Sequence, residues 1–469
     1  MTSFAARRSE LLTAAAKVDL LALSAAAGVR ARTAVFTQLA RLAQGEVRVS
    51  DEVVDETVAI LSERIDCADF TLAGVLRLLT YDSELLSADQ RDRLLAAVRG
   101  FKYWWSEPGV DGMCYHTENH QILFHSCELL AGESAPDAVF GNSGRTGREL
   151  AGHALPLVQR WLWLRSEVGW SEWLSNTYLE HNLLALLNLS DFAADPAIRR
   201  TASGLADILL TELALHSHRG VFGSTHGRAY PRGLVDGFDD GTTTLGWLLF
   251  GAGRAHDLGS VGALTLATSN YRPPAMIHEL ARAAETPQTI RQRMSFDVDE
   301  AARLGLGYTE EEDGHVYWAM QEFMHPKVLP LTQQLLAKYE LGLDTDPAEY
   351  VEEYQRQRSI SGTVTDPWRD RHALSEVNVQ TYRGEHVMLS TAQSYRPGRP
   401  GYQQHIWQAT LGPRAVVFTN HPGSGDLTAR PNWLAGNAIL PRAVQHHNVT
   451  VCLHRIPADD PYPFSHAYF

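Results

Sequence analysis

A chain of 469 residues is longer than a single hydrophobic core usually serves, so its length predicts more than one folding unit. Its 41 Lys+Arg against 55 Asp+Glu give a net charge of -14, which excludes nonspecific nucleic-acid binding and long-range steering of a polyanion. An apolar content of 44% excludes a disordered chain, and no run of about 18 uncharged apolar residues marks a membrane span.

The first residues, MTSFAARRSELLTAAAKVDLLALSAAAG, place paired arginines ahead of leucines and alanines, but Glu10, Lys17 and Asp19 interrupt the apolar run that a signal peptide needs. An amphipathic helix and a cytoplasmic protein are the expectation. Cys67, Cys114, Cys127 and Cys452 show no CxxC spacing, so neither a zinc knuckle nor a disulfide framework is indicated, and a reducing compartment fits. Apolar residues recur at three and four from residue 9 to about 303, predicting helices over 9–27, 34–43, 51–64, 68–81, 88–101, 117–131, 147–168, 172–193, 196–217, 242–256 and 274–284. Their short joints favour antiparallel helical hairpins.

After Gly384 the period drops to two in HVMLSTAQSY, QQHIWQATL, AVVFTN and NVTVCLH, each bounded by Gly, Pro or Asn, which predicts antiparallel sheet. The chain therefore divides into a helical domain over 1–345, a polar connector over 346–371 with one helix or a solvated link, and a sheet domain over 372–469. Four or five strands leave two open edges, so the sheet domain is expected to be incomplete at its C-terminal end.

The densest polar stretch is WWSEPGVDGMCYHTENHQILFHSCE, residues 104–128. His116, Glu118, Asn119, His120 and His125 cluster where this loop runs into a helix, and a buried polar group without a partner costs about 1–3 kcal/mol. A ligand, water or a second polar layer must meet them. Trp104 and Trp105 offer flat surfaces for a sugar ring. His116 and His120 share a helix face, but the acid that a zincin places directly after the first histidine is replaced by Thr117, and no third ligand stands nearby. No metal or other cofactor is expected in this helix; a structural divalent metal in the sheet domain is left open.

A second cluster, GVFGSTHGRAYPRG over 220–233, is too rich in glycine for a helix and presents His226, Arg228, Tyr230 and Arg232, donors suited to a carboxylate or a hydroxyl-rich ligand. Arg232 is equally suited to pairing with DGFDDG downstream. Between the clusters, WSEWLSNTYLEHN brings Trp170, Trp173, Asn176, Tyr178, His181 and Asn182 together, though each tryptophan alone reads as core. Tyr178, Asn182 and Asn188 do not share one narrow face, so only part of that helix can line a cleft. In the sheet half, His405 and His421 stand beside Gln403, Gln404, Trp407 and Asn420, and strand alternation separates Gln404 from His405.

On these residues the chain resembles the alginate lyase and heparinase II/III-like polysaccharide lyases. Asn119-His120 in TENHQILFH is similar to the Asn-His pair that opens an inner helix in that group, and GSTHGRAY resembles its Gly-rich segment carrying a His and the catalytic Tyr. Glu118 departs from members that have another Asn there. The resemblance implies an α+β chain: an N-terminal (α/α) toroid of helical hairpins followed by an antiparallel β-sandwich. It also implies β-elimination on an acidic, uronate-containing poly- or oligosaccharide. Asn119, His120, Tyr230 and His405 would carry catalysis, while Trp104, Trp105, His116, Glu118, Tyr178, His226, Arg228 and His421 would bind substrate.

In that chemistry a donor set neutralises the uronate carboxylate, a base removes the C5 proton, and an acid protonates the departing oxygen. Two alternatives stand beside it. A six-hairpin glycoside hydrolase would pair Glu118 with Asp239 or Asp240, and a non-catalytic protein would only bind carbohydrate. The partner is a carbohydrate in each case, with no nucleic acid or membrane, and a homo-oligomer is compatible with all three.

Overall fold

Helix starts fall where short polar side chains cap them. Ser3, Ser50, Asp195 and Ser260 each accept a bond from a first-turn N–H, and Ser87 with Gln90 and Thr146 with Glu149 form reciprocal capping boxes. The computed structural model describes residues 3–45, 48–81, 86–282, 286–342, 346–361, 374–395, 403–427, 432–434, 439–458, 460–463 and 465–469. Residues 362–371 of the expected connector lie outside them, and its first part is the helix Asp346–Ser361.

Within the helical half, Glu118–Ser134 packs against Gly147–Val168, Leu179–Phe192 against Pro196–Leu215, and Ala68–Tyr81 against Glu118–Ser134. The helix Glu118–Ser134 is buried along nearly its whole length, from Glu118 to Gly132, so its polar side chains face other protein or a cavity. Gly132 permits the close approach of the next helix: a Cβ there would meet Gly147 O at 2.5 Å.

Several periodic stretches differ from their expected form. The stretch 9–27 is two helices, Phe4–Ala15 and Leu20–Ala26, because Asp19 caps the second through Ala22 N–H. The helix expected from 172 begins only at Leu179. Leu174 sits in the left-handed region at φ 48°, and Ser175 Oγ accepts from Thr177 and Tyr178 N–H, so residues 170–178 form a loop whose Trp173 and Leu174 carbonyls are taken by the 226–227 segment. The helix expected over 242–256 stops at Phe250, ahead of left-handed Gly251.

The sheet is antiparallel and six-stranded, in the order β1 (Gln288–Met294), β2 (Val377–Arg383), β3 (Met388–Gln393), β4 (Trp407–Gly412), β5 (Ala415–Asn420) and β8 (His466–Tyr468). β6 (Arg442–His446) and β7 (Val449–Leu453) form a separate ribbon over β3, held by Gln445 Nε2 donating to Leu389 O at 3.0 Å. The far face of the ribbon shows Val444, Val449, Val451 and Leu453, each 61–67% exposed. β1 corrects the reading of 9–303 as all helix. In its register with β2, Gln288 opposite Arg383 through Met294 opposite Val377, the outward face is polar and the inward face alternates Gln288 and Gln292 with Ile290 and Met294, so hydrophobicity shows no clear period of two.

The sheet docks on the end of the helix Pro196–Leu215. His216 Nδ1 meets Thr381 Oγ1 at 2.8 Å and its Nε2 meets Gln292 Oε1 at 2.5 Å, while the buried Arg383 guanidinium donates to Ala214 O at 2.6 Å. A cation at the helix C-terminus satisfies carbonyls that have no partner within the helix. One apolar cluster joins Leu184 and Leu209 to Val377, Ala392, Ile406 and Leu440, so helices and sheet share a core. Among the described residues, no helix is long and apolar enough to cross a membrane.

Candidate active site

The loop from Trp105 to Thr117 folds over the ends of the helices Ala68–Tyr81 and Glu118–Ser134 and leaves a cavity of about 930 Å³. Lys102 fixes the loop, its Nζ donating to Gly109 O at 2.7 Å and pairing with Asp111 at 2.7 Å. The wall carries Trp105, His116, His120, Tyr178 and Arg228 from the expected set, together with Arg32, Asp66 and Cys67.

Behind the wall lies a buried polar layer. The Glu118 carboxylate takes the Arg165 guanidinium and Ser171 N–H, the latter at 2.6 Å, and so ties the start of its helix to the 170–178 loop. Asn119 Nδ2 donates to Glu172 at 3.2 Å, and Glu172 lies 3.7 Å from Arg228. Burial pushes Glu172 up against the pull of Arg228. Burial also disfavours the Arg228 charge, but Tyr178, Tyr230 and Glu172 outweigh it and raise its pKa. Arg228 stands 5.5 and 5.7 Å from the ring centres of Tyr178 and Tyr230, whose hydroxyls are 2.9 Å apart. Its Nη2 donates to Tyr230 Oη at 3.4 Å, and its buried Nε has no hydrogen-bond partner among the described residues, like Nε of Arg32. Burial keeps the Tyr178 phenol protonated far above its ordinary range, although Arg228 opposes this.

The segment carrying Arg228 and Tyr230 is a seam between the two halves of the chain. His226 and His405 exchange backbone bonds of 2.9 and 2.8 Å, Gly227 N–H donates to Trp173 O at 2.7 Å, and Ala229 N–H donates to Gln403 O at 2.7 Å. Gly227 lies so close to Trp173 that a Cβ would sit 2.7 Å from its nitrogen.

On the opposite wall, His120 Nδ1 meets Asp69 Oδ2 at 2.7 Å. Burial opposes a charge on His120, but the Asp69 carboxylate prevails and holds its pKa well above the usual histidine value. His116 Nδ1 lies 3.4 Å from Cys114 Sγ.

The remaining expected residues lie elsewhere. Trp104 is core, packed 4.4 Å from His125 and 5.0 Å from His315 between ring centres. Glu118 and Asn119 belong to the buried layer. His226 is fixed by its Nδ1 to Leu174 O at 2.5 Å, and burial takes its pKa down to about 3. His405 bonds Gln408 at 2.9 Å, lies 4.8 Å from Phe418 between ring centres, and is neutral because burial lowers it to about 4. His421 bonds Asp460 at 2.9 Å. None of these six lines the cavity, and neither does the seventh, Tyr230, which stands behind Tyr178. Of the carboxylates expected for a hydrolase, Glu118 is consumed by Arg165 and Asp240 by Thr242, while Asp239 pairs with His256 at 2.9 Å; none of the three lines the cavity. Asp69 and Glu172 escaped the sequence reading; the one signal for each is an acid inside an apolar or aromatic run, in CADFTLAG and WSEW.

Compared with family models, curated proteins and solved structures, the chain shows no match to any of them.

Proposed function

We propose that the cavity binds an acidic, uronate-containing saccharide and cleaves it by β-elimination, on a scaffold in which the helical hairpins form an (α/α) toroid and the sheet belongs to a β-sandwich, as in the lyases the sequence resembles. The observation that carries this reading is the Arg228 guanidinium set against the bonded hydroxyl pair of Tyr178 and Tyr230. A planar cation with an unused Nε suits a carboxylate, and charge withdrawn from the carboxylate makes the neighbouring C5 proton more acidic. Arg32, with its own unused Nε, and the positive charge at His120 add to that field.

Tyr178, on the wall, then handles both protons in one concerted step: its hydroxyl proton passes to the departing glycosidic oxygen as its oxygen takes the C5 proton, so the phenol is neutral before and after, and Tyr230, one hydrogen bond behind it, holds it in place. Trp105 supplies the flat apolar surface. His405, away from the wall, has no part in this scheme.

The test is a panel of purified uronides followed in the ultraviolet, where the conjugated double bond of an elimination product absorbs. Wild type should generate that absorbance with at least one uronide, and Tyr178→Phe should reduce the rate about 10²–10⁴-fold. New reducing ends without the absorbance would replace this reading with hydrolysis. Binding without any bond cleavage would leave a carbohydrate-binding protein.

A further inference from the structure

Asp66, Cys67 and His120 each place one metal-ligating atom within 4.8 Å of the other two, on the wall of the cavity. Asp66 and Cys67 end the joint ahead of the helix Ala68–Tyr81, and His120 stands in the first turn of Glu118–Ser134, which packs against it. We infer that these three residues form a binding site for a soft-to-borderline divalent cation of the Zn²⁺ type, with its remaining coordination position turned to the cavity.

Three observations carry the inference. The first is the donor set: one thiol, one imidazole and one carboxylate suit Zn²⁺ and its neighbours among the transition metals, whereas Mg²⁺ and Ca²⁺ take oxygen. The second is the orientation of the imidazole. Asp69 occupies His120 Nδ1 at 2.7 Å, so Nε2 is the nitrogen left to bind a metal, and a carboxylate behind the other nitrogen is the support that metal-bound histidines have. Asp69 is fully buried and its second oxygen has no hydrogen-bond partner among the described residues, so among their side chains this carboxylate serves the imidazole alone. The third is placement. Three protein ligands at the edge of a cavity of about 930 Å³ leave room for an oxygen of water or of a bound molecule.

A hydrogen-bonded cluster without a metal is the competing account, since Cys67 Sγ lies 3.4 Å from Asp66 Oδ2. It also explains the hydrogen bond between Cys67 and His120, with Asp69 orienting the imidazole. What the cation adds is a reason for a third ligand atom, from Asp66, to converge with the other two on the cavity wall. On binding, bonds form from the cation to Sγ, Nε2 and a carboxylate oxygen of Asp66, and the protons on Sγ and Nε2 leave to solvent. The site shares only His120 with the elimination chemistry, where a cation on its Nε2 would take the place of the imidazolium charge, and its test uses no saccharide and no variant of Arg228 or Tyr178.

The full chain, stripped of metal with a chelator, is titrated with Zn²⁺ against a chromophoric competitor and separately with Co²⁺. One equivalent of each should bind, and Co²⁺ should produce a near-ultraviolet thiolate charge-transfer band. Cys67→Ser should abolish the band, and both Cys67→Ser and Asp66→Asn should weaken Zn²⁺ binding at least about tenfold. Circular dichroism should stay unchanged, because Asp66 is exposed and Cys67 only half-buried. Cys452→Ser should match wild type. Absence of a stoichiometric site in wild type would overturn the inference, as would a cobalt band that survives Cys67→Ser.

Discussion

His226 and His405 are joined backbone to backbone in both directions, yet neither imidazole reaches the cavity. The pair is a fastening: the rings lie nearly parallel with centres 5.9 Å apart, and the loop between Gly223 and Tyr230 is held to the sheet through it. His405→Ala removes the Gln408 bond and the packing on Phe418, so stability should fall by about 1–3 kcal/mol. Urea titration should show a lower midpoint at an unchanged slope, with turnover per folded molecule preserved. Loss of turnover at full stability would return His405 to the chemistry.

Arg228 serves the protein in two ways, and three variants separate them. Arg228→Ala leaves Glu172 buried without its cation and should cost about 3–5 kcal/mol. Adding Glu172→Gln should recover much of that loss, while the double variant stays unable to hold a carboxylate. Arg228→Lys keeps the charge but loses the planar fork, so KM should rise more than stability falls. Thermal denaturation and saturation kinetics on the same preparations check all three.

Stability should respond to pH at the contact between the helix Pro196–Leu215 and the sheet. Burial pushes Glu212 up to about 8, so its contribution is fully present below the ordinary carboxylate value and disappears as pH rises through 8. Burial takes His216 down to about 4, so its contribution is present above the ordinary histidine value and disappears as pH falls through 4. Glu212→Gln should keep an acceptor for Trp170 Nε1 and flatten the decline between the ordinary carboxylate value of 4.5 and about 8 by up to about 1.4 kcal/mol per pH unit. Denaturant midpoints across a pH series read this directly, and an unchanged profile would place the Glu212 titration elsewhere.

Gly227→Ala tests how tightly the loop is seated. The new methyl would meet Trp173 backbone and ring atoms at 2.7–2.9 Å, and neither can retreat without moving the 170–178 loop. A loss of about 1–3 kcal/mol is expected, with a larger loss of turnover than His405→Ala produces because Arg228 is the next residue. A silent substitution would show that the seam yields.

What was legible in the chain was local. The helices Ala34–Ala43, Ala68–Tyr81 and Gly147–Val168 have the bounds that their apolar spacing and flanking residues imply, because those signals act within a turn or two. β1 was not legible, since Gln292 is satisfied by His216 and Arg291 by Gln380 of β2, partners 76 and 89 residues away. The same distance hid half the site. Arg228 and Tyr230 stood out in a glycine-rich run, whereas Asp69 looked like any first-turn acid until the fold brought His120 against it. Trp104 misled because a tryptophan beside histidines has the same composition in a core as in a sugar subsite.

The ribbon of β6 and β7 has a practical consequence. Its valines and leucine form an aliphatic strip in contact with water, and such a strip gains free energy by meeting another like it. Concentrated or warmed preparations should therefore cloud by sticking at this corner while the rest of the molecule is still intact. Lysine at positions 444 and 451, across the ribbon from one another and turned away from β3, should clear the solution without touching the chemistry.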